Sequence, residues 1–152
     1  MMIREWGKES LMFYYHATGT ADYGPYPFVA NIGEDARKNE NFRRTLWTGR
    51  YLQTTLMSIP VRGEIGLERH PDTDQMIRIE EGRGLVRIGN TKDELDFQQH
   101  LCKGDTVFVP AGVWHNIINM GMVPLQVSST YAPPAHLRGT VHRTKEDDTE
   151  EY

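Results

Sequence analysis

The sequence predicts an all-β fold, a barrel or sandwich of short strands behind an irregular N-terminal extension. Three observations carry this expectation. From Phe42 onward, nine short segments alternate apolar with polar residues or are rich in β-branched side chains: FRRTLWTG, YLQTTLMSIP, EIGLERH, QMIRIEEG, GLVRIG, ELDFQQHL, DTVFVP, WHNIINM and PLQVSSTYAP. Turn-forming residues separate them at 60–63, 71–74, 82–84, 89–93, 103–105, 111–112 and 121–124. Between the second segment and Pro133 no stretch is long enough for a long helix, so strands at this spacing read as a sandwich or barrel and not as βαβ units.

The flanks differ from this middle. Residues 1–28 are aromatic and punctuated by Gly and Pro, without a helical period; Phe13, Tyr14 and Tyr15 are expected to add an edge strand, across a subunit interface if the chain pairs with itself. Residues 31–41 are polar, and 34–38 should form one or two helical turns. The end, HRTKEDDTEEY, is charged and almost without apolar residues, which predicts a solvated tail. The expected division is therefore an extension over 1–41, a barrel over 42–136 and a polar tail over 137–152.

Length and charge narrow the function. A chain of 152 residues with 38% hydrophobic content fits one domain with its own core. Its formal net charge of −4 offers no basic patch, and the pair Arg43–Arg44 is too short to form one, so nucleic acid is not an expected partner. No run of about 18 apolar residues exists to span a membrane. The N-terminus MMIREWGKESLMFYYH lacks the continuous apolar segment of a signal peptide. With one cysteine, Cys102, no internal disulfide can form, and the expected setting is the reducing cytoplasm. Cys102 itself reads as a small strand residue.

Two segments hold polar residues where a strand should bury them. In EIGLERH, strand alternation puts Glu64, Gly66, Glu68 and His70 on one face, with Ile65 and Leu67 on the other. That polar face either meets water or lines a barrel interior and holds something. After the turn 71–74, Gln75 starts a strand with Ile77 and Ile79 on its face, and a hairpin here returns Gln75 beside His70. In GDTVFVPAGVWHNIINMG, Pro110 ends one strand, Gly112 permits a tight corner, and His115 begins the return strand with Ile117 and Asn119 at the same parity. Trp114, of opposite parity, reads as packing between sheets. GRG at 82–84 is a hairpin turn, since no helix follows it as a dinucleotide site needs. His136 falls after PPA near the barrel's end and reads as peripheral; His16 and His100 read as surface or interface residues.

The second of these segments resembles the second motif of the cupin superfamily at every defined position: Gly104, five residues, Pro110, one, Gly112, two, His115, three, Asn119. The first cupin motif is matched more loosely. Its ending is intact, with the acidic position on Gln75 and the following glycine at Gly82; His70 takes the place of the second histidine, Glu68 that of the first, and the opening Gly63 lies one residue closer than usual. The resemblance implies a small cupin double-stranded β-helix, a jelly-roll-like barrel, with a divalent metal inside. The implied ligands are Glu68, His70, Gln75 and His115: two imidazoles, one carboxylate and one amide oxygen. Glu68 stands where the family has His, and Gln75 where it has an acid, so the site keeps a single carboxylate. Two His and one carboxylate form the facial triad suited to non-haem Fe(II), and the same donors accept Mn²⁺, Zn²⁺ or Ni²⁺. By strand parity, Asn119 and Thr55 are candidates for orienting the ligands, and Gln53 and Tyr131 for touching substrate.

Several functions fit such a barrel. One is an Fe-dependent oxygenase acting on a small molecule beside Glu68, His70 and His115, which is slightly favoured. Another is an isomerase or lyase using the metal as a Lewis acid on a sugar or keto acid. The donor set is similar to that of phosphomannose isomerases, but with amide and carboxylate exchanged and no Lys or Arg clamp for a sugar phosphate. A third is a non-catalytic barrel that binds a metal or small molecule. The last is a metal-free barrel, in which Glu68 pairs with Arg87 or another buried cation and Gln75 with His70. Small cupins commonly pair, so the resemblance also implies a homodimer.

Overall fold

The computed structural model of the chain describes residues 21–149. The strand expected around Phe13–Tyr15 lies outside the described residues. The element order is α1 (Ile32–Lys38), β1 (Arg43–Thr48), β2 (Gln53–Ile59), β3 (Asp74–Glu81), β4 (Gly84–Gly89), β5 (Phe97–Leu101), β6 (Thr106–Val109), β7 (Trp114–Asn119), β8 (Leu125–Ala132) and β9 (Val141–His142), followed by a 3₁₀ turn over Lys145–Asp147. Eight of the nine expected strand segments form β1 to β8. The helical turns form too. Asn31 caps α1 by accepting from the Glu34 N–H, and Lys38 reaches back to Glu34 at 2.7 Å.

The strands make two antiparallel sheets, one of six strands in the order β6-β3-β8-β2-β1-β9 and one of three in the order β5-β4-β7. Met57, Ile59, Ile77, Ile79, Val107, Val109, Leu125 and Val127 of the large sheet share one core with Val86, Leu101 and Ile117 of the small one. This is the double-stranded β-helix that the motifs imply. Strand β2 is buried on both faces because Met57 enters this core while Leu56 joins a second cluster with Tyr23, Ala36 and Leu46. The chain before β1 thus covers the outer side of β1 and β2. Gln126 of β8 pins the end of α1, its Nε2 donating to the carbonyls of Ala36 at 2.6 Å and Asn39 at 2.7 Å.

Three features were not foreseen. The segment EIGLERH is not a regular strand. It runs along the free side of β7 through backbone bonds linking Gly63 to Asn119, Ile65 to Ile117, Glu68 to His115 and His70 to Gly112. Gly66, at φ +104°, breaks the alternation, so Ile65 and Glu68 both turn inward and the expected shared face of Glu64 with Glu68 does not exist. Second, Arg43 and Arg44 are both buried, on opposite faces of β1, so neither offers a cation to a phosphate. Third, the expected solvated tail folds back. Within 137–149, β9 pairs with β1, Arg43 opposite His142 and Arg44 opposite Val141. Asp147 Oδ2 then accepts from the N–H groups of Arg143 and Thr144 and fixes the 3₁₀ turn. The charged composition misled because this pairing is made by backbone groups, which every residue carries.

Candidate metal centre

Strand β7 places His115. Gly112, at φ +84°, makes the corner, and its N–H donates to the His70 carbonyl at 2.9 Å, so the two histidine-bearing segments are tied backbone to backbone. The His115 ring is 1% exposed. Its Nδ1 lies 3.0 Å from the Val113 carbonyl. A carbonyl can only accept, so Nδ1 carries the proton and Nε2 presents a bare lone pair. Nε2 makes no hydrogen bond. Burial pushes the His115 pKa down, against the Val113 carbonyl and the Glu68 carboxylate, and so favours the neutral ring that a metal requires.

Glu68 sits directly opposite His115, and the two exchange both backbone hydrogen bonds at 2.9 Å. Its carboxylate is buried with its two oxygens in different settings. Oε1 accepts from Arg43 Nη2 at 2.6 Å; Oε2 lies 3.5 Å from His70 Nε2 and 3.8 Å from His115 Nε2. Burial alone would raise its pKa, but the His70 ring, the Arg43 guanidinium and His115 together hold it at about 2, so it is ionised at any working pH.

The His70 ring completes the cluster, 5.8 Å from the His115 ring between centroids. One donor atom each from Glu68, His70 and His115 lie within 4.8 Å of one another, all three residues buried. The opposite wall is aromatic. Tyr131 of β8 meets the His70 ring edge-on at 5.3 Å, and His136 stands 5.1 Å from Tyr131 and 6.0 Å from His70. Burial drives the Tyr131 pKa up, so the phenol keeps its proton, and its oxygen lies 3.3 Å from His136 Nε2.

The remaining candidates divide. Gln75 is buried on β3 opposite Tyr131, its Nε2 within 3.4 Å of Ser129 Oγ and its Oε1 without a hydrogen bond. Thr55 is fully buried beside the Tyr131 hydroxyl and so stands behind the phenol, not behind an imidazole. The Gln53 side chain is engaged by backbone groups. Its Oε1 accepts from the N–H groups of Ala135 and His136, and its Nε2 donates to the His136 carbonyl, so it holds the turn that presents His136. Asn119 does not orient a ligand either. Its Nδ2 faces the carbonyls of Ile59, Pro60 and Val123, and its Oδ1 accepts from Gly121 N–H, at the far end of β7. Parity is right for Asn119, but four residues separate it from His115, roughly 13 Å along a strand. The cation partner of Glu68 is Arg43 and not Arg87.

Arg43, His136 and Asp148 are the site's additions beyond the motifs. Arg43 could have been suspected from its inward parity with Thr45 in FRRTLW. His136 and Asp148 carry no local signal: one depends on the grip of Gln53, the other on a segment whose composition suggests solvent.

Two imidazoles and a carboxylate converging in a buried space make a donor set able to hold a divalent metal. The chain matches the Cupin domain family over residues 55–131. It is 53% identical to the uncharacterized protein YrkC of Bacillus subtilis over 126 residues, 83% of this chain and 68% of that protein. It is 36% identical to the uncharacterized protein L612 of Acanthamoeba polyphaga mimivirus over 115 residues, 75% of this chain and 70% of that protein. The crystal structure of BH2720 from Bacillus halodurans, 53% identical, superposes with a TM-score of 0.82 over 84% of this chain and 96% of that one.

Proposed function

Because this chain belongs to the cupin family, we propose that its barrel binds a divalent metal through Glu68, His70 and His115 and uses it on a small molecule. The observation that carries the reading is the His115–Glu68–His70 cluster itself. Its donor atoms lie within 4.8 Å, and the His115 Nε2 lone pair has no hydrogen-bond partner. A buried acceptor left this way is costly unless something occupies it. Gln75 Oε1, buried and without a hydrogen bond, is the fourth donor in this reading.

The surrounding residues do what such a centre needs. Val113 fixes the His115 tautomer, and Arg43 holds one oxygen of Glu68 so that the other faces the imidazoles. Tyr131, kept protonated, offers a hydrogen-bond donor to a substrate oxygen, with His136 at its hydroxyl to set its direction. With no thiolate in the set, Fe, Mn, Zn and Ni all remain acceptable ions. When bound, Fe(II) at two His and one carboxylate supplies open positions for oxygen and substrate, and we favour this oxygenase-type chemistry over Lewis-acid isomerisation. The aromatic wall of Tyr131 and the absence of a Lys or Arg clamp among the described site residues support that order. The exposed, unpaired Cys102 fits a reducing compartment, and we place the protein in the cytoplasm.

The test is metal analysis of untagged protein after supplementation with Fe, Mn, Zn and Ni in turn, beside His70→Ala and His115→Ala. One metal per chain, lost in both variants, is the expected result. A parent chain that retains none of the four, or variants that retain full occupancy, overturns the assignment. Oxygen uptake by the Fe(II)-loaded protein with small phenols, thiols and keto acids then separates oxygenase from isomerase.

A further inference from the structure

Within the described C-terminal segment, the Asp148 side chain reaches the candidate metal centre. From Arg143 to Asp147 every residue is exposed, whereas the Asp148 side chain turns inward and is 8% exposed. It meets Arg43, which is wholly buried, with Oδ2 2.5 Å from Nη1. The other terminal nitrogen of the same guanidinium, Nη2, is the one that holds Glu68 Oε1 at 2.6 Å. A buried guanidinium therefore bridges two carboxylates, one on the candidate ligand and one on the last described turn of the chain. Strand β9 makes this contact geometric and not incidental, because it pairs with β1 at Arg43 itself, opposite His142.

We propose that Asp148 is a positioning residue for the metal centre: through Arg43 it fixes the Glu68 carboxylate toward the two imidazoles, so that metal binding and docking of residues 141–148 are coupled. The inference rests on the metal reading above. Its physical basis is charge. A dication at Glu68 is repelled by the adjacent guanidinium, and Asp148 offsets that repulsion while anchoring Nη1, which leaves Nη2 on Glu68 Oε1. Without Asp148, more of the charge of Arg43 falls on Glu68 and competes with the metal for the carboxylate. Coupling is reciprocal, so whatever factor Asp148 contributes to metal affinity the metal returns to the docking of the C-terminal segment.

The experiment titrates Co²⁺ into the full chain and follows its visible absorption. Asp148→Asn is compared with Asp148→Glu, which keeps the charge, and with Glu146→Gln, which removes a neighbouring exposed charge that does not touch Arg43. Asp148→Asn is expected to weaken Co²⁺ binding by about tenfold, within the usual range of coupling between linked sites. Asp148→Glu should recover most of that loss, and Glu146→Gln should behave as the parent. Amide exchange over residues 141–148 of the parent chain should slow when Co²⁺ is added, a readout that needs no variant to fold. Parent-like Co²⁺ affinity in a folded Asp148→Asn, or exchange over 141–148 that ignores Co²⁺, overturns the inference and leaves the metal reading standing. A parent chain that binds no Co²⁺ overturns both.

Discussion

Asn119 offers the sharpest separation of structural from chemical roles in the second motif. Its side chain is buried in a residue only 4% exposed. Its Nδ2 lies 3.1 Å from the Ile59 carbonyl, 3.2 Å from that of Pro60 and 2.9 Å from that of Val123; its Oδ1 accepts from Gly121 N–H at 2.9 Å. An amide has two protons, so the three carbonyls share two donors, and the acceptor adds one more bond. Three hydrogen bonds at about 1 kcal/mol net each give about 3 kcal/mol for Asn119→Ala, and water cannot replace partners so deeply placed. Urea unfolding should show that loss with an unchanged m-value, while metal affinity of the folded variant stays that of the parent. A loss below about 1 kcal/mol would contradict the accounting of buried bonds. Weakened metal binding at intact stability would return Asn119 to the metal centre and refute its reading as a loop clamp.

Other expectations follow from single residues. Glu68→Gln removes the negative charge that faces the buried Arg43 and should lower stability by about 3 kcal/mol, moderated because the amide oxygen still accepts and Asp148 still pairs with that guanidinium, and should empty the site of metal; urea unfolding with metal analysis measures both, and unchanged stability would mean the charge of the pair contributes nothing. Gly66→Ala forces a side chain into φ +104° and should cost about 1–2 kcal/mol by the same unfolding measurement; a neutral result would show that the inward turn of Glu68 does not need that backbone conformation. For Asp22, burial raises the pKa but hydrogen bonds from Thr48, Gly24, Thr45 and Gly139 outweigh it and bring it below the ordinary 3.8. Its contribution is therefore complete above about pH 4 and fades as pH falls through the lower folded value, so the stability gap between parent and Asp22→Asn should close in that acid range; a gap independent of pH would refute this. Light scattering should give twice the chain mass, and a monomer would remove the expected homodimer.

What could be read in advance depended on whether a local pattern had a local cause. Strands β3, β4 and β6 declare themselves because burial of one face imposes period-two alternation, and α1 because Asn31 and the Glu34–Lys38 pair are short-range devices. His115 was placed correctly because Gly104, Pro110 and Gly112 constrain the corner before it. Elsewhere the cause lay far along the chain. Gly66 looked like one more strand residue, yet it reverses the inward face between Ile65 and Glu68. Arg43 is 25 positions from the carboxylate it holds, and Asp148 is 105 from Arg43, distances at which no spacing rule operates. The backbone partners of Gln53 and Asn119 were hidden for a related reason: strand parity says which way a side chain points, but not how far along the barrel it sits or which backbone groups wait there.

The reciprocal backbone pairing of Glu68 with His115 has a consequence for how such a site can change over time. Directly opposed residues that exchange both main-chain bonds keep their Cα atoms about 5.5 Å apart whatever side chains they carry. The spacing between the two donors is thus inherited from the backbone, and the choice of donor is left to mutation. A lineage can trade imidazole for carboxylate at position 68 without rebuilding the barrel, provided a neighbour such as Arg43 arrives to orient the new group. The scaffold in that sense works as a socket with interchangeable pins, and chemistry can drift across it faster than architecture.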